Sequence, residues 1–525
     1  MRAFLRAAAF VAAGSAVLAS GPGSAVPANP DAAAILHVLN RAGFGARPGD
    51  VERVRQIGLA AYIERQLHPE KIADTAMAAR LAGFETLDKS SRELADDYFI
   101  PVQMARQQAK RDAARDGGTP DNPPDKPSLK GEQMGLARKQ RAVLVDLSSQ
   151  KILRAAYSER QLEEVMTDFW FNHFNVFANK GATQQYITEY ERDAIRPRVL
   201  GKFRDLLGAT AKSPAMLFYL DNWQSVDPQG GVDPQGRVAP RRRAQMMMRM
   251  QDQQRPRRGL NENYGRELME LHTLGVDGGY TQQDVVNVAR AFTGWTIDQP
   301  RRGGSFRFEP RLHDGKEKHV LGQTIKGGGG QSDGERVLDI LARHPSTARF
   351  IATKLARRFV ADVPPPALVT RAAARFTETD GDIREVVRLI LTSPEFFAAD
   401  ARQVKVKTPF EFVVSAIRVT GSEVRAAEPL AQAVKQLGMP LYLCQPPTGY
   451  ADRADAWVNT GALLNRMNFA LQLVDGRMRG VEWGAAPVAP AIGAPSPSTS
   501  ATLAKAGDPR QVAALTLGSP EFQRR

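Results

Sequence analysis

Helix-start signals recur along this sequence, and each precedes apolar residues spaced three and four positions apart. Thr408 stands before Pro409 and three residues before Glu411, which is the pattern of a capping box with a proline in the first turn. Segments 281–284 and 382–385 repeat the pattern, with Thr or Asp at the capping position. Such signals favour many separate amphipathic helices over an extensive sheet. We therefore predict a mainly α protein.

Strand-like runs are few and lie in one part of the chain. Residues 305–308 and 319–325 are predicted to pair as a small hairpin, which closes before the glycines at 327–330. With 525 residues, of which 42% are hydrophobic, the chain can bury a large core without a structural metal. We predict one large multi-helix domain over residues 30–480 with a minor β-hairpin.

Two long polar loop insertions interrupt the helical pattern. Residues 107–130 are rich in charge, proline and glycine, and residues 225–259 combine Pro-Gln-Gly repeats with arginine and methionine runs. Both are predicted to be disordered, because they bury too little apolar surface to offset chain entropy. Residues 485–502 are predicted to be a Pro/Ala/Ser linker. Residues 507–525 repeat the pattern of 381–396, which predicts a C-terminal helix that packs back on the main domain.

The first 28 residues have the parts of a secretory signal peptide. A short basic start precedes an apolar run from Ala7 to Ala19, which is shorter than the roughly 20 residues of a membrane-spanning helix. Small residues follow, and Ala25 and Ala28 are candidate cleavage positions. We expect a periplasmic or extracellular protein with no transmembrane segment.

The chain is basic, with 71 Lys and Arg against 57 Asp and Glu and a net charge of +14. The strongest local patch runs from Arg241 to Arg258. Methionines, rather than aromatic residues that stack on bases, stand among these cations, so we expect no nucleic-acid binding. An anionic envelope component is a physically allowed partner for this patch, and a solvated loop is the alternative.

The densest polar cluster lies between Asn261 and His272. Glu267 and Glu270 are three residues apart and share one face of a predicted helix, which Asn263 could cap. His272 joins these carboxylates only if the helix ends there. Two carboxylates and an imidazole can bind a divalent metal or divide the roles of acid and base. The alternative is a buried ion-pair network that ties helices together.

Two further histidines are candidates for a functional role. His173 lies in an aromatic run between Asn172 and Asn175, where the alternative is a core histidine with its hydrogen bonds satisfied. His313 precedes charged residues on a predicted loop, and loop polar residues are often functional. The chain carries no nucleotide-binding or serine-hydrolase motif. The presence and identity of a metal stay open.

Several long motifs are similar to those of the bacterial DUF1800 family. They occupy segments 40–45, 169–174, 261–276, 289–295, 344–355, 393–396 and 446–450. The resemblance covers roughly residues 35–475. It implies an exported protein and supplies no reaction, since the family is one of unknown function. Members often carry a second histidine where this chain has Phe171, which weakens any site that needs two imidazoles there.

The sequence leaves two functions open. The first is an exported enzyme that acts on an envelope or extracellular substrate, with or without a divalent metal. Its catalytic residues would be Glu267, Glu270, His272, His173 and His313. The second is a non-catalytic envelope scaffold or binding protein, in which the same residues form a structural network.

Overall fold

The computed structural model describes residues 25–115, 131–228 and 259–525. Within these ranges the protein is mainly α-helical, as predicted, with three short antiparallel strand pairs. No helix in these ranges combines the length and the apolar character needed to cross a membrane. The α-helices are Ala32–Arg41, Asp50–Ile57, Leu59–Leu67, Thr75–Leu81, Ser91–Leu94, Ile100–Arg115, Glu132–Tyr157, Gln161–His173, Ile187–Glu189, Phe203–Lys212, Pro214–Tyr219, Glu262–Met269, Gln282–Ala291, Gln331–Ala342, Pro345–Phe359, Pro366–Glu378, Ile383–Leu391, Pro394–Phe397, Pro409–Thr420, Glu428–Gln436, Thr460–Val474, Pro497–Leu503 and Pro509–Gly518.

Two of the three predicted capping boxes form in full, and at the third Asp382 accepts the Glu385 amide without the reciprocal bond. Thr408 Oγ1 accepts a hydrogen bond from the Glu411 amide at 3.2 Å, and the Glu411 carboxylate accepts one from the Thr408 amide at 2.8 Å. Thr281 and Asp284 make the same reciprocal pair. Each such cap stabilises a helix by about 1 kcal/mol, because it satisfies amides that have no partner within the helix.

The predicted pairing of segment 305–308 with segment 319–325 is wrong. Phe306–Phe308 pairs instead with Trp295–Ile297, and Trp295 lies opposite Phe308. The Trp295 ring is fully buried and packs edge-on against Phe306. Burial of this tryptophan therefore fixes the partner strand, and the sequence pattern alone did not reveal it.

The 319–325 run forms a hairpin of its own. Lys318–Val320 pairs with Gln323–Ile325. Leu321 and Gly322 connect the two strands with φ angles of 49° and 75°. Two successive left-handed residues make the tight turn that suits a two-residue hairpin. Local closure of this kind costs little chain entropy, so it is favoured over pairing with a more distant segment.

A large hydrophobic core runs through most of the described helices, and a second, small cluster contains Leu94, Tyr98 and Val143. Helix Gln161–His173, which we call the histidine helix, lies within the large core, and its Trp170 is fully buried. Helix Pro345–Phe359, which we call the lysine helix, packs along Pro366–Glu378. These two helices and the core beneath them form the rigid support for the site described below.

Much of the two predicted insertions lies outside the described residues. Helix Ile100–Arg115 extends beyond the predicted start of the first insertion at residue 107, and residues 116–130 lie outside the description. Residues 229–258 also lie outside it, and with them the patch from Arg241 to Arg258. The same holds for residues 1–24, which include most of the predicted signal peptide.

The C-terminal segment packs on the main body of helices. Pro509–Gly518 lies against Thr460–Val474, and the Phe522 ring contacts the Phe412 ring at a centroid distance of 5.9 Å. Residues 485–502, predicted to be a linker, contain the short helix Pro497–Leu503 and contribute buried residues. This segment therefore contributes to the fold.

Candidate functional site

The five predicted site residues occupy three places in the structure. His173 and His272 are neighbours, with ring centroids 6.3 Å apart. Glu267 and Glu270 lie together on one partly exposed helix face. His313 belongs to a separate buried cluster. Among the described residues, no group of three or more His, Cys, Asp or Glu side chains is arranged to hold a metal.

Glu267 and Glu270 lie close to each other, and the Arg266 cation also lies near Glu267. Asn261, rather than Asn263, caps helix Glu262–Met269, because its Oδ1 accepts the Tyr264 amide at 3.2 Å. Burial raises the pKa of the Glu267 carboxyl, and the neighbouring Glu270 charge raises it further. The Tyr280 hydroxyl donates to Glu270 at 3.3 Å. The helix face that carries Glu267 and Glu270 therefore holds two like charges.

His272 lies in the core because the helix changes form beneath it. Residues Glu270–Leu274 form a π-helical turn, whose register differs from the α-helical face on which the predicted site was based. His272 is buried, and its ring centroid lies 5.1 Å from that of Phe174. Burial lowers its pKa to about 3, with a smaller contribution from Lys354, so the ring is neutral at physiological pH.

His313 ties a hairpin to a helix. Its Nδ1 donates to the Thr293 carbonyl at 2.8 Å, and its Nε2 lies 3.1 Å from Asp333 Oδ2. The fully buried Lys318 ammonium donates to the same Asp333 oxygen at 2.8 Å. Each of the three side chains in this cluster, His313, Asp333 and Lys318, has a hydrogen-bond partner.

His173 is the predicted site residue that reaches a pocket. Its Nε2 lies 3.0 Å from the main-chain oxygen of His272, and because a carbonyl can only accept, Nε2 carries the proton. Nδ1 is then an acceptor, and it is buried with no hydrogen-bond partner in the described residues. Burial, and next the Lys354 charge, hold the pKa of this imidazole well below 6.5. His173 is therefore a neutral ring with a free lone pair.

The Lys354 pocket, as we call it, has a volume of about 190 Å³. It forms where the histidine helix, the lysine helix and the loop 446–450, which we call the prolyl loop, come together. Its lining residues are Asp168, Phe169, Asn172, His173, Lys354, Arg357, Arg358, Thr408, Met439, Thr448, Tyr450, Ala451 and Asp452. All three segments carry motifs on which the family resemblance rests.

The prolyl loop is fastened to the histidine helix through one amide side chain. Asn172 donates to the Tyr450 carbonyl at 2.8 Å and accepts the Tyr450 amide at 2.7 Å. Gly449 allows this close approach: its φ is +71°, and a Cβ there would lie 2.3 Å from the Asn172 main-chain oxygen. The pocket wall therefore depends on a glycine at this position.

Lys354 is the residue best suited to take part in a reaction, and the sequence analysis did not identify it. The pKa of its ammonium is lowered to about 8, chiefly by burial and next by the nearby Arg357 cation, against the opposing effect of the Asp452 carboxylate. Among the residues that the structure describes, none makes a hydrogen bond or an ion pair with Lys354. Its nearest described ring is that of Phe350, with a centroid distance of 5.4 Å. A lysine of this kind in a cleft is a functional-site candidate.

Arg358 adds a second incompletely satisfied cation to the pocket. One of its terminal nitrogens binds the Glu411 carboxylate, while Nε and Nη2 are buried without a hydrogen-bond partner in the described residues. The two carboxylates that line the pocket are both paired: Asp168 lies 2.8 Å from the Lys151 ammonium, and Asp452 lies 2.8 Å from that of Lys405. The pocket therefore offers free donors beside ion-paired carboxylates, of which Asp452 shares the Lys405 ammonium with Asp362.

The family motifs are the one sequence signal that points to residues of this pocket. Lys354 belongs to motif 344–355, His173 to motif 169–174 and Tyr450 to motif 446–450. Each motif taken alone suggests packing. That they come together in space depends on tertiary structure and cannot be obtained from helical periodicity.

Comparison with known proteins yields one match. The family model described as "Protein of unknown function (DUF1800)" matches residues 37–524. No curated protein matches the chain, and no solved structure matches it. Because the family model spans nearly the whole chain, as the motif resemblance predicted, this protein belongs to the DUF1800 family.

Proposed function

We propose that this DUF1800 protein is an exported enzyme and that the Lys354 pocket is its active site. The basic start, the apolar run from Ala7 to Ala19 and the small residues after it support export to the periplasm or beyond. The substrate is then an envelope or extracellular molecule. The patch from Arg241 to Arg258 would hold the enzyme near an anionic envelope component.

One observation carries the proposal. Three side chains that line a single pocket carry polar groups with no hydrogen-bond partner among the described residues: the Lys354 ammonium, two Arg358 nitrogens and His173 Nδ1. Buried polar groups are normally satisfied within the fold, so groups left free in a pocket are suited to a ligand. These groups come from two elements, since Lys354 and Arg358 lie on the lysine helix and His173 lies on the histidine helix.

The pocket supports proton transfer with charge stabilisation. Neutral His173 can accept a proton at Nδ1, while its Nε2 stays fixed on the His272 carbonyl. At pH 7 the Lys354 group is mostly protonated, because its pKa is about 8. An ammonium that is already desolvated stabilises developing negative charge more strongly than a hydrated one. His173 is therefore the proposed base, and Lys354 the proposed electrostatic group.

A non-catalytic envelope scaffold is the competing function. The cluster of His313, Asp333 and Lys318 supports it to the extent that polar residues there serve packing. In a scaffold, Lys354 would be a packing residue, and its reactivity would have no relation to a pocket. The two functions therefore predict different behaviour for this one side chain.

Competitive acylation of the intact protein tests the proposal. Trace acetic anhydride is applied between pH 6 and 11, and the labelling of each lysine is read by mass spectrometry. We expect Lys354 labelling to reach half its maximum near pH 8. Exposed Lys326 serves as the internal reference for the reagent. Absence of Lys354 labelling, or a midpoint near the ordinary lysine value of about 10.4, would refute the proposed active site.

A further inference from the structure

Side chains that line the pocket carry both donors and an acceptor without a hydrogen-bond partner in the described residues. Lys354 Nζ, Arg358 Nε and Arg358 Nη2 are donors, and His173 Nδ1 is an acceptor. Lys354 is only partly buried, whereas Arg358 is 4% and His173 is 2% exposed. A ligand that satisfies them all needs acceptor oxygens and, close to these, one donor.

The charges that line the pocket favour an anion. Three cationic side chains and two carboxylates line it, and each carboxylate already has a lysine partner. The Arg357 Nε donates to the Asp362 carbonyl at 3.0 Å, an acceptor that carries no net charge. The ionisable groups around Lys354 are Arg357, Arg358, Asp168, Asp452, His173 and His272. Their balance leaves positive charge facing the pocket.

A cluster of buried arginines behind the pocket adds to this field. Arg41 and Arg525 are 0% and 2% exposed, and both interact electrostatically with Arg358 and with Glu411. Two nitrogens of Arg41 and three of Arg525 have no hydrogen-bond partner in the described residues, and Arg525 forms an ion pair with Glu411 at 3.1 Å. Buried like charges of this kind raise the positive potential of the surrounding low-dielectric region. Arg358 belongs to both the arginine cluster and the pocket wall, so the positive potential of the cluster extends to the pocket.

The size of the pocket limits the ligand. A volume of about 190 Å³ is below the roughly 300–1,000 Å³ of pockets that take a drug-sized ligand. A sugar chain or a lipid tail does not fit within it. Only a small molecule, or the end group of a larger one, can be enclosed.

We infer that the Lys354 pocket binds a compact oxyanion, a carboxylate or a phosphate, that carries a hydroxyl or amine within one or two bonds of the anionic group. The anionic oxygens contact Lys354 and Arg358, and the hydroxyl or amine donates to His173 Nδ1. This inference rests on the proposed active site and names its substrate class.

Protection of Lys354 from acylation tests the inference. Labelling at pH 8 is measured with glycolate, acetate, inorganic phosphate or chloride at equal ionic strength. A bound anion holds the proton on Lys354: a rise of one unit in its pKa would lower the labelling rate about fivefold. We expect glycolate to protect more strongly than acetate, since only glycolate has a hydroxyl for His173. Protection by phosphate would identify a phosphate ligand, and protection by glycolate alone a hydroxy acid.

Calorimetry on two variants provides an independent measurement. Lys354→Met should abolish the heat of binding of whichever anion protects, whereas the control Lys326→Met should retain it. Chloride protection equal to that of the oxyanions, or no protection by any of them, would overturn the inference. In that case a labelling midpoint near pH 8 without anions would still support the active site. The two proposals therefore fail separately.

Discussion

At the scale of single residues, burial shifts the pKa of two charged groups that make no direct ion pair with a described residue, and Asp452 near Lys354 and Arg266 near Glu267 oppose the shift. Lys354 lies in the pocket, and its pKa falls to about 8. Glu267 lies on a helix face, where burial and the neighbouring Glu270 raise its pKa. In both cases the charged form is held at a cost to stability. Lys354 has free polar groups and a cavity around it, and this is why the two residues receive different interpretations.

Replacing Glu267 with glutamine should stabilise the protein slightly at neutral pH. The raised pKa means that the stabilisation from protonated Glu267 is present at low pH and is lost as pH rises through the folded pKa. Glu267→Gln should therefore melt at a higher temperature than wild type at pH 7, because its free energy of unfolding should be larger by at most about 0.5 kcal/mol. The difference should be smaller at pH 4.

The control for this prediction is Asp277→Asn, which removes an exposed carboxylate from the same region. It should leave the melting temperature nearly unchanged at both pH values. If Glu267→Gln instead melts at a lower temperature, and a chelator also lowers the melting temperature of wild type, Glu267 is a metal ligand.

At the scale of helices and loops, local chemistry was predictable and tertiary pairing was not. Thr408 and Glu411 lie three residues apart, so their capping box is visible in the sequence and is found in the structure. The burial of Trp295 determines which strand pairs with Phe306–Phe308. No local sequence signal encodes this pairing. The π turn that carries His272 inward is likewise outside the α-helical geometry used for the prediction.

The prolyl loop offers a test of how the pocket is assembled. Gly449→Ala should cost about 1–2 kcal/mol from its positive φ alone, and more because the new Cβ would meet the Asn172 main-chain oxygen. Gly476→Ala is a matched control, because Gly476 has a φ of +68° and no atom within 4 Å of the added Cβ. Thermal melts and Lys354 labelling are measured on both variants.

Only Gly449→Ala should alter the Lys354 labelling profile. Equal destabilisation by the two variants, with unchanged labelling in both, would mean that the contact between the loop and the histidine helix does not shape the pocket.

At the scale of the whole molecule, the candidate site joins segments that are far apart in the chain. His173, Lys354 and Tyr450 meet only because the core brings their helices and loop together. Of the five residues predicted from sequence, His173 alone lines this pocket, and Lys354 was missed within a motif that had been noticed. Periodicity predicts which residues are buried, but not which buried residues share a cavity.

The molecule as a whole should be unstable in mild acid. His37 and His272 have pKa values of about 3, and that of His173 is also well below 6.5, in each case chiefly because of burial. Lowered histidine pKa values give stability above pH 6.5 that is lost as pH falls, since the unfolded chain then takes up more protons. Three such residues give a loss of up to about 4 kcal/mol per pH unit.

Melting temperature measured between pH 7.5 and 5 checks this prediction. A steep fall that begins near pH 6.5 is expected, and His319→Gln, which changes an exposed imidazole, should follow the same curve. A flat profile down to pH 5 would show that the three histidines are not held neutral.

Thermal melts of wild type and Lys354→Met, with and without inorganic phosphate or glycolate, test the central claim most directly. Methionine keeps the apolar stem and removes the unpaired charge. If the unpaired charge in the pocket lowers stability, the variant should melt at a higher temperature than wild type, with a free energy of unfolding larger by roughly 1 kcal/mol. Only wild type should gain stability from an oxyanion. A variant that melts lower than wild type, together with a wild type that no oxyanion stabilises, would contradict the claim and leave Lys354 as a structural residue.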